Sequence, residues 1–393
     1  MFTDEITQAI ARHYPQGAAI RQKLHQYPEL SEQEWETAKL VATTLREYGI
    51  ETQEGIAGTG VLGIIRGNVA GKTVLLRADM DALAIQEAAP VPYASKRPGI
   101  MHACGHDGHT AGLLIAGMAL MDLKDRIPGT IKLMFQPAEE TVGGAARMIQ
   151  SGVLENPRVD AALGCHLWGQ APQGTVWVKS GPVMAAPDEF RITLIGRGGH
   201  GGLPHLGVDP IVMAAQVIQQ FQTIVSRRRN PLDPAVVSIG MIHGGETHNV
   251  IPAEVHLVGT IRTLSAELRD FIPQEMDRIL QGLTLAAGGS YTLEVCKRYP
   301  PLVNDPAVTE VIREAAKKIL PSDRVQDAPE ANMGGEDFAY IAEQVPSSFF
   351  FVGITPDEKP LIHHSPYFQW DDSVLRISAA CLCQGAVDVL LRP

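Results

Sequence analysis

Hydrophobic positions follow one another along this chain in two rhythms. In the first, short apolar runs show no alternation: GVLGIIRG (60–67), TVLLRAD (73–79), TIKLMFQ (130–136), DAALGCHL (160–167) and SSFFFVG (347–353). Helical patterns separate them at 105–121, 143–151 and 304–320. Strands without alternation are buried on both faces, and intervening helices supply the cover. These segments therefore predict an α/β layer around a mostly parallel sheet. The first 50 residues, in round terms, read as helices. Ser31 and Glu34 have the spacing of a capping box ahead of EWETAKLVATTLREYG, which a glycine closes.

The second rhythm occupies the middle. DEFRITLIGRG (188–198) alternates like a half-exposed strand. A helix pattern follows at 208–226, strands at 235–243 and 253–262, a helix at 265–287 and a strand at 290–297. This β-α-β-β-α-β order predicts a ferredoxin-like α+β layer with one face free. It reads as a domain (187–298) inserted into an α/β domain made of 1–186 and 299–393. A chain of 393 residues also favours two domains over one core.

Composition narrows the function classes. A net charge of −11 argues against nucleic acid and anionic membrane surfaces, which select basic faces. The one basic run, Arg227-Arg228-Arg229, reads as a solvated helix end. The five cysteines are scattered without a CxxC pair, which fits a reducing compartment rather than a disulfide scaffold. The N-terminal MFTDEITQAIARHYP is acidic and lacks the apolar segment of a signal peptide. The apolar run at 111–121 falls short of the roughly 20 residues that span a bilayer. The expected location is the cytoplasm.

Candidate chemistry lies just after the apolar strands. TVLLRA runs into Asp79-Met80-Asp81, TIKLMFQP into Ala138-Glu139-Glu140, and AALGC into His166; SSFFFVG precedes His363-His364. Ligands of open α/β sheets bind beyond the carboxyl ends of the strands. HACGHDGH (102–109) opens a helix there and holds three of the chain's 13 histidines. It matches no zinc-finger spacing. Cys104 and His106 can point to one side of a glycine-containing loop, whereas His102 and His109 are expected to pack or cap. Taken singly, each motif has a plain alternative. HACGHDGH could be a polar helix cap, Glu139-Glu140 a solvated acidic loop, and Cys165-His166 buried core residues. GRGGHGGLPH (196–205), with His200, could be a glycine-rich loop, and MGGED (333–337) a helix N-terminus.

Taken together, RADMDAL, HACGHDGHT, FQPAEE, GCHLW, GRGGHGGLPH, GGETHNVIP, GTIRT, MGGEDF and HHSPYF occur in that order over nearly the whole chain. The set resembles the aminoacylase/carboxypeptidase metallohydrolase family, and within it the hippurate hydrolase and auxin-conjugate (N-acyl-amino-acid) amidohydrolase branch. The resemblance implies a catalytic domain with two divalent metal ions and an inserted lid domain that dimerises. It implies Cys104, His106, Glu140, His166 and His364 as ligands, with Asp81 behind them, Glu139 as general base, and His200, Asn249 and Arg262 as substrate-holding lid residues. His364 is preferred to His363 because it directly precedes Ser-Pro-Tyr-Phe. Exopeptidase relatives carry H-x-D where this chain has Asp79-Met80-Asp81; the amidohydrolase branch shares this change, and His106 substitutes. Cys104 stands where many relatives have a bridging aspartate.

The implied reaction is hydrolysis of the amide of an N-acyl amino acid. Metal ions lower the pKa of water towards about 7 and polarise the carbonyl. Glu139 would move the proton to the leaving nitrogen, His200 would donate to the oxyanion, and Arg262 would pair with the substrate carboxylate. Thiolate and imidazole favour zinc; carboxylates also admit manganese, cobalt or nickel. The expected partners are a small-molecule substrate and a second copy of the chain, in a homodimer or dimer-based tetramer. Two rivals are a dipeptidase or carboxypeptidase of the same fold and a non-catalytic metal-binding protein. The Glu139-Glu140 pair argues against the latter.

Overall fold

The computed structural model of the protein describes residues 2–356 and 359–392. Two compact units emerge. The first comprises Met1–Gly181, Val303–Glu330 and Asp337–Pro393, and the second Pro182–Leu302 with Ala331–Glu336. In chain order the principal strands are β1 (Glu51–Ile56), β2 (Gly60–Arg66), β3 (Thr73–Asp79), β4 (Thr130–Gln136), β5 (Ala161–Pro172), β6 (Val176–Val178), β7 (Ala186–Ile195), β8 (Ala235–His243), β9 (Glu254–Thr263), β10 (Ser290–Cys296), β11 (Val325–Asp327) and β12 (Ser347–Thr355). The first three helices are α1 (Phe2–Gln26), α2 (Trp35–Glu47) and α3 (His106–Asp122).

The first unit is the expected α/β layer. Its eight-stranded sheet runs β1-β2-β4-β3-β5-β12-β6-β11. The centre, β4-β3-β5-β12, is parallel. β3 and β12 are buried along their whole length, which is why neither alternates. α3 is apolar on all sides and buried from His106 to Leu120, between α1 and the helix Leu375–Leu391. The stretch Asp372–Leu391 is long and apolar enough to cross a membrane, but 78% of its most apolar window is buried inside the protein. It serves here as a core helix.

The glycines of HACGHDGH have a structural cause. Gly105 caps α3 at φ +105°, a conformation that side chains with a Cβ rarely adopt. A Cβ on Gly108 would stand 2.5 Å from Leu167 and Trp370, so the helix could not seat against β5.

In the second unit, β8-β9-β7-β10 form an antiparallel sheet. The helices Pro210–Thr223 and Ala266–Ala287 pack against it through a core that includes Phe190, Leu194, Phe221, Leu257, Ile272 and Met276. β7 alternates buried and part-exposed positions, as its sequence predicts for a sheet with one covered face.

Two local expectations fail. Ser31 and Glu34 do not form a capping box. The Ser31 hydroxyl donates to Asp81 at 2.6 Å, and the Glu34 carboxylate accepts from Thr59 at 2.6 Å and from the Ala138 N–H at 2.9 Å. Both side chains are committed to loops near the sheet, and the first turn of α2 is met instead by the Glu29 carboxylate, which accepts the Thr37 N–H at 2.9 Å. Nor does β5 end at His166. It continues to Pro172, because pairing with β12 persists through Gly353↔Trp168 and, after an irregularity, Thr355↔Pro172.

Candidate metal centre

Five segments of the first unit converge beyond the carboxyl ends of its parallel strands. Cys104, His106 and His166 each offer a ligand atom within 4.8 Å of the others, and so do Cys104, Glu140 and His364. A third set, His106, Glu139 and Glu140, overlaps both. The Cys104 Sγ is 3.5 Å from His166 Nε2, and His364 Nε2 is 3.3 Å from Glu140 Oε1. His106 Nε2 lies 3.8 Å from the same Glu140 oxygen. That oxygen is buried and has no hydrogen-bond partner, although a carboxylate oxygen removed from water needs a donor or a cation.

The local chain explains how the ligand atoms are aimed. His106 directs Nδ1 at the Asp81 carbonyl, 2.9 Å away, and His166 directs Nδ1 at the Leu167 carbonyl, 2.7 Å away. Each Nδ1 is thereby a donor, so Nε2 is the nitrogen left to meet a metal once it carries no proton. Asp81 organises the opposite side. Its carboxylate accepts the backbone N–H of Glu139 and of Glu140, both at 3.1 Å, and meets His106 Nδ1 at 3.2 Å. Ala138, just before the two glutamates, is held at φ +54°. His364 is held at φ +61° while its N–H donates to the Ala103 carbonyl at 2.8 Å. Residues kept in this region mark places where surrounding structure over-determines the backbone.

The two uncertain histidines of the motifs part company. Both nitrogens of His109 are occupied, Nδ1 by Asp79 at 2.6 Å and Nε2 by the Leu167 N–H at 2.9 Å. His102 is buried with neither ring nitrogen bonded, and burial lowers its pKa to about 4. His363 Nε2 accepts the Gly169 N–H at 3.0 Å, which turns that ring towards the protein, whereas His364 is half-exposed beside Glu140.

Electrostatics set the resting protonation. Burial pushes the Cys104 thiol well above its ordinary pKa, and Glu140 adds to the effect. Burial opposes the charged form of His106, but Asp79, Cys104 and Asp81 outweigh it and raise its pKa well above the usual value. Asp79 is likewise disfavoured by burial, yet His106, His109 and Arg77 hold it well below the usual carboxylate range.

Sequence reasoning overlooked the charges beneath this layer. Arg77, in the middle of β3, is 1% exposed; it meets Asp79 and Asp337 at 2.7 Å each and donates to Gln136 at 2.8 Å. Asp337 is therefore an internal anchor and not a helix cap. An arginine inside the apolar run TVLLRAD was the available signal, because such residues are almost never fully buried unpaired. Arg77→Met should cost about 3–5 kcal/mol in denaturant unfolding, because two buried carboxylates would lose their cation. A loss under about 1 kcal/mol would show that they do not depend on it.

The second unit brings two expected substrate residues together and separates the third. His200 pairs with Val250 in a short ladder, and the Gly201 N–H donates to the Asn249 carbonyl at 2.8 Å. His200 is exposed, and its Nδ1 accepts the Gly202 N–H at 2.9 Å. Arg262 lies half-buried near the far end of β9, opposite Pro187, whereas Glu254 at the near end is opposite Ile195. Eight residue steps lie between Glu254 and Arg262, about 26 Å of strand.

A parallel-centred sheet that collects cysteine, histidine and carboxylate side chains able to bind metal beyond its strand ends has the architecture of a metal-dependent hydrolase. Comparison with known proteins agrees. Residues 75–385 match the model of peptidase family M20/M25/M40. The chain is 43% identical over 371 residues to the N-acetyl-L-cysteine deacetylase of Bacillus subtilis, covering 94% of this chain and 87% of that protein. It is 44% identical over 305 residues to the N-acyl-L-amino acid amidohydrolase of Geobacillus stearothermophilus, covering 77% and 82%. The structure of the Bacillus subtilis YXEP protein, described as a dinuclear metal binding peptidase from the M20 family, superposes with a TM-score of 0.86 at 35% identity, covering 97% of this chain and 99% of that one. The chain belongs to peptidase family M20/M25/M40 and is a metal-dependent amidohydrolase.

Proposed function

We propose that the protein hydrolyses the amide bond of N-acyl amino acids, including hippurate-like N-aroyl and N-acetyl substrates, to a carboxylic acid and a free amino acid. The observation that carries this reading is the pair of candidate ligand sets that share Cys104, linked by a third that joins His106 and Glu140 to Glu139. The names of the Bacillus and Geobacillus relatives point to the same substrate class. The test is release of glycine from benzoylglycine and of amino acid from N-acetyl amino acids by the metal-loaded protein. No release from any of them would overturn the proposal.

Cys104, His106, Glu140, His166 and His364 would hold two divalent ions, zinc first, with manganese, cobalt or nickel also compatible with this donor set. When bound, the ions supply an acidified water and a polarised carbonyl. Glu139 takes the proton and delivers it to the leaving nitrogen. The backbone bonds from Glu139 and Glu140 to Asp81 keep the base and the ligand in separate directions. The five free thiols support a reducing compartment such as the cytoplasm.

The second unit acts as lid and dimerisation domain in this reading. Leu203, Leu206, Ile211, Val212 and Val250 are large exposed apolar side chains in the segments around His200, which suits a self-association surface. About 26 Å of strand between the His200–Asn249 end and Arg262 means that one lid does not bring all three to one substrate. The homodimer resolves this if His200 and Asn249 reach across to the substrate at the other copy's metal centre, whose carboxylate that copy's own Arg262 holds. Mixing inactive His200→Ala with inactive Glu139→Gln subunits should then restore activity, since one site of each mixed dimer has both wild-type groups. Verified subunit exchange without recovery would refute the shared site.

A further inference from the structure

The loop that carries Cys104 and His106 is gripped from behind by the first helix. Arg21 and His25 lie one turn apart on α1 and are 0% and 1% exposed. Both reach the same oxygen of Asp107, Arg21 through Nε and His25 through Nδ1, each at 2.8 Å. The other Asp107 oxygen accepts the Gly108 N–H at 2.9 Å. The remaining His25 nitrogen meets Glu87 at 3.1 Å, and Glu87 in turn accepts the Ser95 N–H at 2.6 Å. The Arg21 guanidinium packs against Tyr93 and Trp370, 4.6 and 4.1 Å from their ring centres, and reaches Asp372 at 3.1 Å.

None of these bonds is made to a candidate ligand, and burying this many charges is a poor way to gain stability, since apolar residues of similar volume do as well or better. What the cluster supplies is position. Asp107 follows His106 directly, and the preceding Gly105, at φ +105°, is a point where the backbone has unusual freedom. A carboxylate locked by an arginine, a histidine and a backbone N–H removes that freedom at the residue next to a ligand. We propose that Arg21 and His25 are positioning residues that set the affinity of the centre for its metal by holding Asp107, and through it the Cys104–His106 loop. This rests on the reading that Cys104 and His106 bind metal.

The experiment is a competition for Zn²⁺ between the full chain and a chromophoric chelator. His25→Ala should weaken zinc binding about 10–100-fold, the usual consequence of losing a group that orients a ligand. His25→Gln, whose amide can still donate to Asp107, should recover most of the affinity. Should His25→Ala fail to fold, Arg21→Lys tests the same grip and should weaken binding several-fold. His13→Ala is the control: His13 sits on the same helix and meets Asp122 at 2.8 Å, so its loss lowers the melting temperature without touching the loop. Zinc affinity unchanged within twofold in His25→Ala, or lost equally in His13→Ala, would overturn the inference. Wild-type protein that binds zinc but cleaves no N-acyl amino acid would refute the proposed function and leave this inference standing.

Discussion

Glu139→Gln should lower kcat by about 10²–10⁴-fold, the span expected for loss of a general base, while the bound metal remains. The substitution is nearly isosteric, and the bond that fixes this residue to Asp81 runs through its backbone N–H, so the side-chain change leaves it in place. An amide cannot take up a proton near neutral pH; a carboxylate can. Glu140→Gln should behave differently. Its Oε1 is the buried acceptor without a partner, 3.3 Å from His364 Nε2 and 3.8 Å from His106 Nε2, so it should weaken metal binding first and turnover as a consequence. Kinetics and metal analysis on the same samples separate the roles. Because Glu139 also shares a potential ligand set with His106 and Glu140, loss of metal from Glu139→Gln would make it a ligand instead. Turnover within about tenfold of wild type would remove it from the chemistry altogether.

What could be read from the chain follows from the range of the interactions involved. The central strands were legible because burial on both faces leaves an unbroken apolar run, and β3, β4 and β12 begin or end within two residues of those runs. The α3 start was legible because a left-handed cap and a close approach to Leu167 both demand glycine in HACGHDGH. Long-range partners were not. Ser31 and Glu34 satisfy a local capping pattern, yet Asp81, 50 residues away, takes the serine hydroxyl. His25 lies in a helix whose pattern says only that one side is buried; its partner Asp107 is 82 residues distant. The roles of His200, Asn249 and Arg262 were drawn from motifs, and a motif carries no register. Only the pairing of β9 with β7 reveals that Arg262 and the His200–Asn249 pair occupy opposite ends of one sheet.

Removing the metal should abolish hydrolysis, and Zn²⁺, Mn²⁺, Co²⁺ or Ni²⁺ should restore it. Full activity in rigorously metal-free protein would refute the whole reading. The electrostatics add a second expectation that does not depend on turnover. Before binding, Cys104 is a neutral thiol with its pKa pushed up by burial, and His106 is a cation held by Asp79 and its other anionic neighbours. Both must lose a proton to become ligands, so uptake should release up to two protons per chain. Affinity should therefore rise with pH through the neutral range, by about tenfold per unit for each proton displaced. Calorimetry in buffers of different ionisation enthalpy counts those protons, and a pH-independent affinity would mean that neither group is a ligand. Binding should also stabilise the fold, since the unfolded chain has no such site: at 100 times Kd the gain is about 2.7 kcal/mol. Glu140→Gln, with weaker binding, should show a smaller rise in Tm at the same metal concentration. Glu139→Gln should show the full rise, because a base that binds no metal has nothing to lose in that measurement.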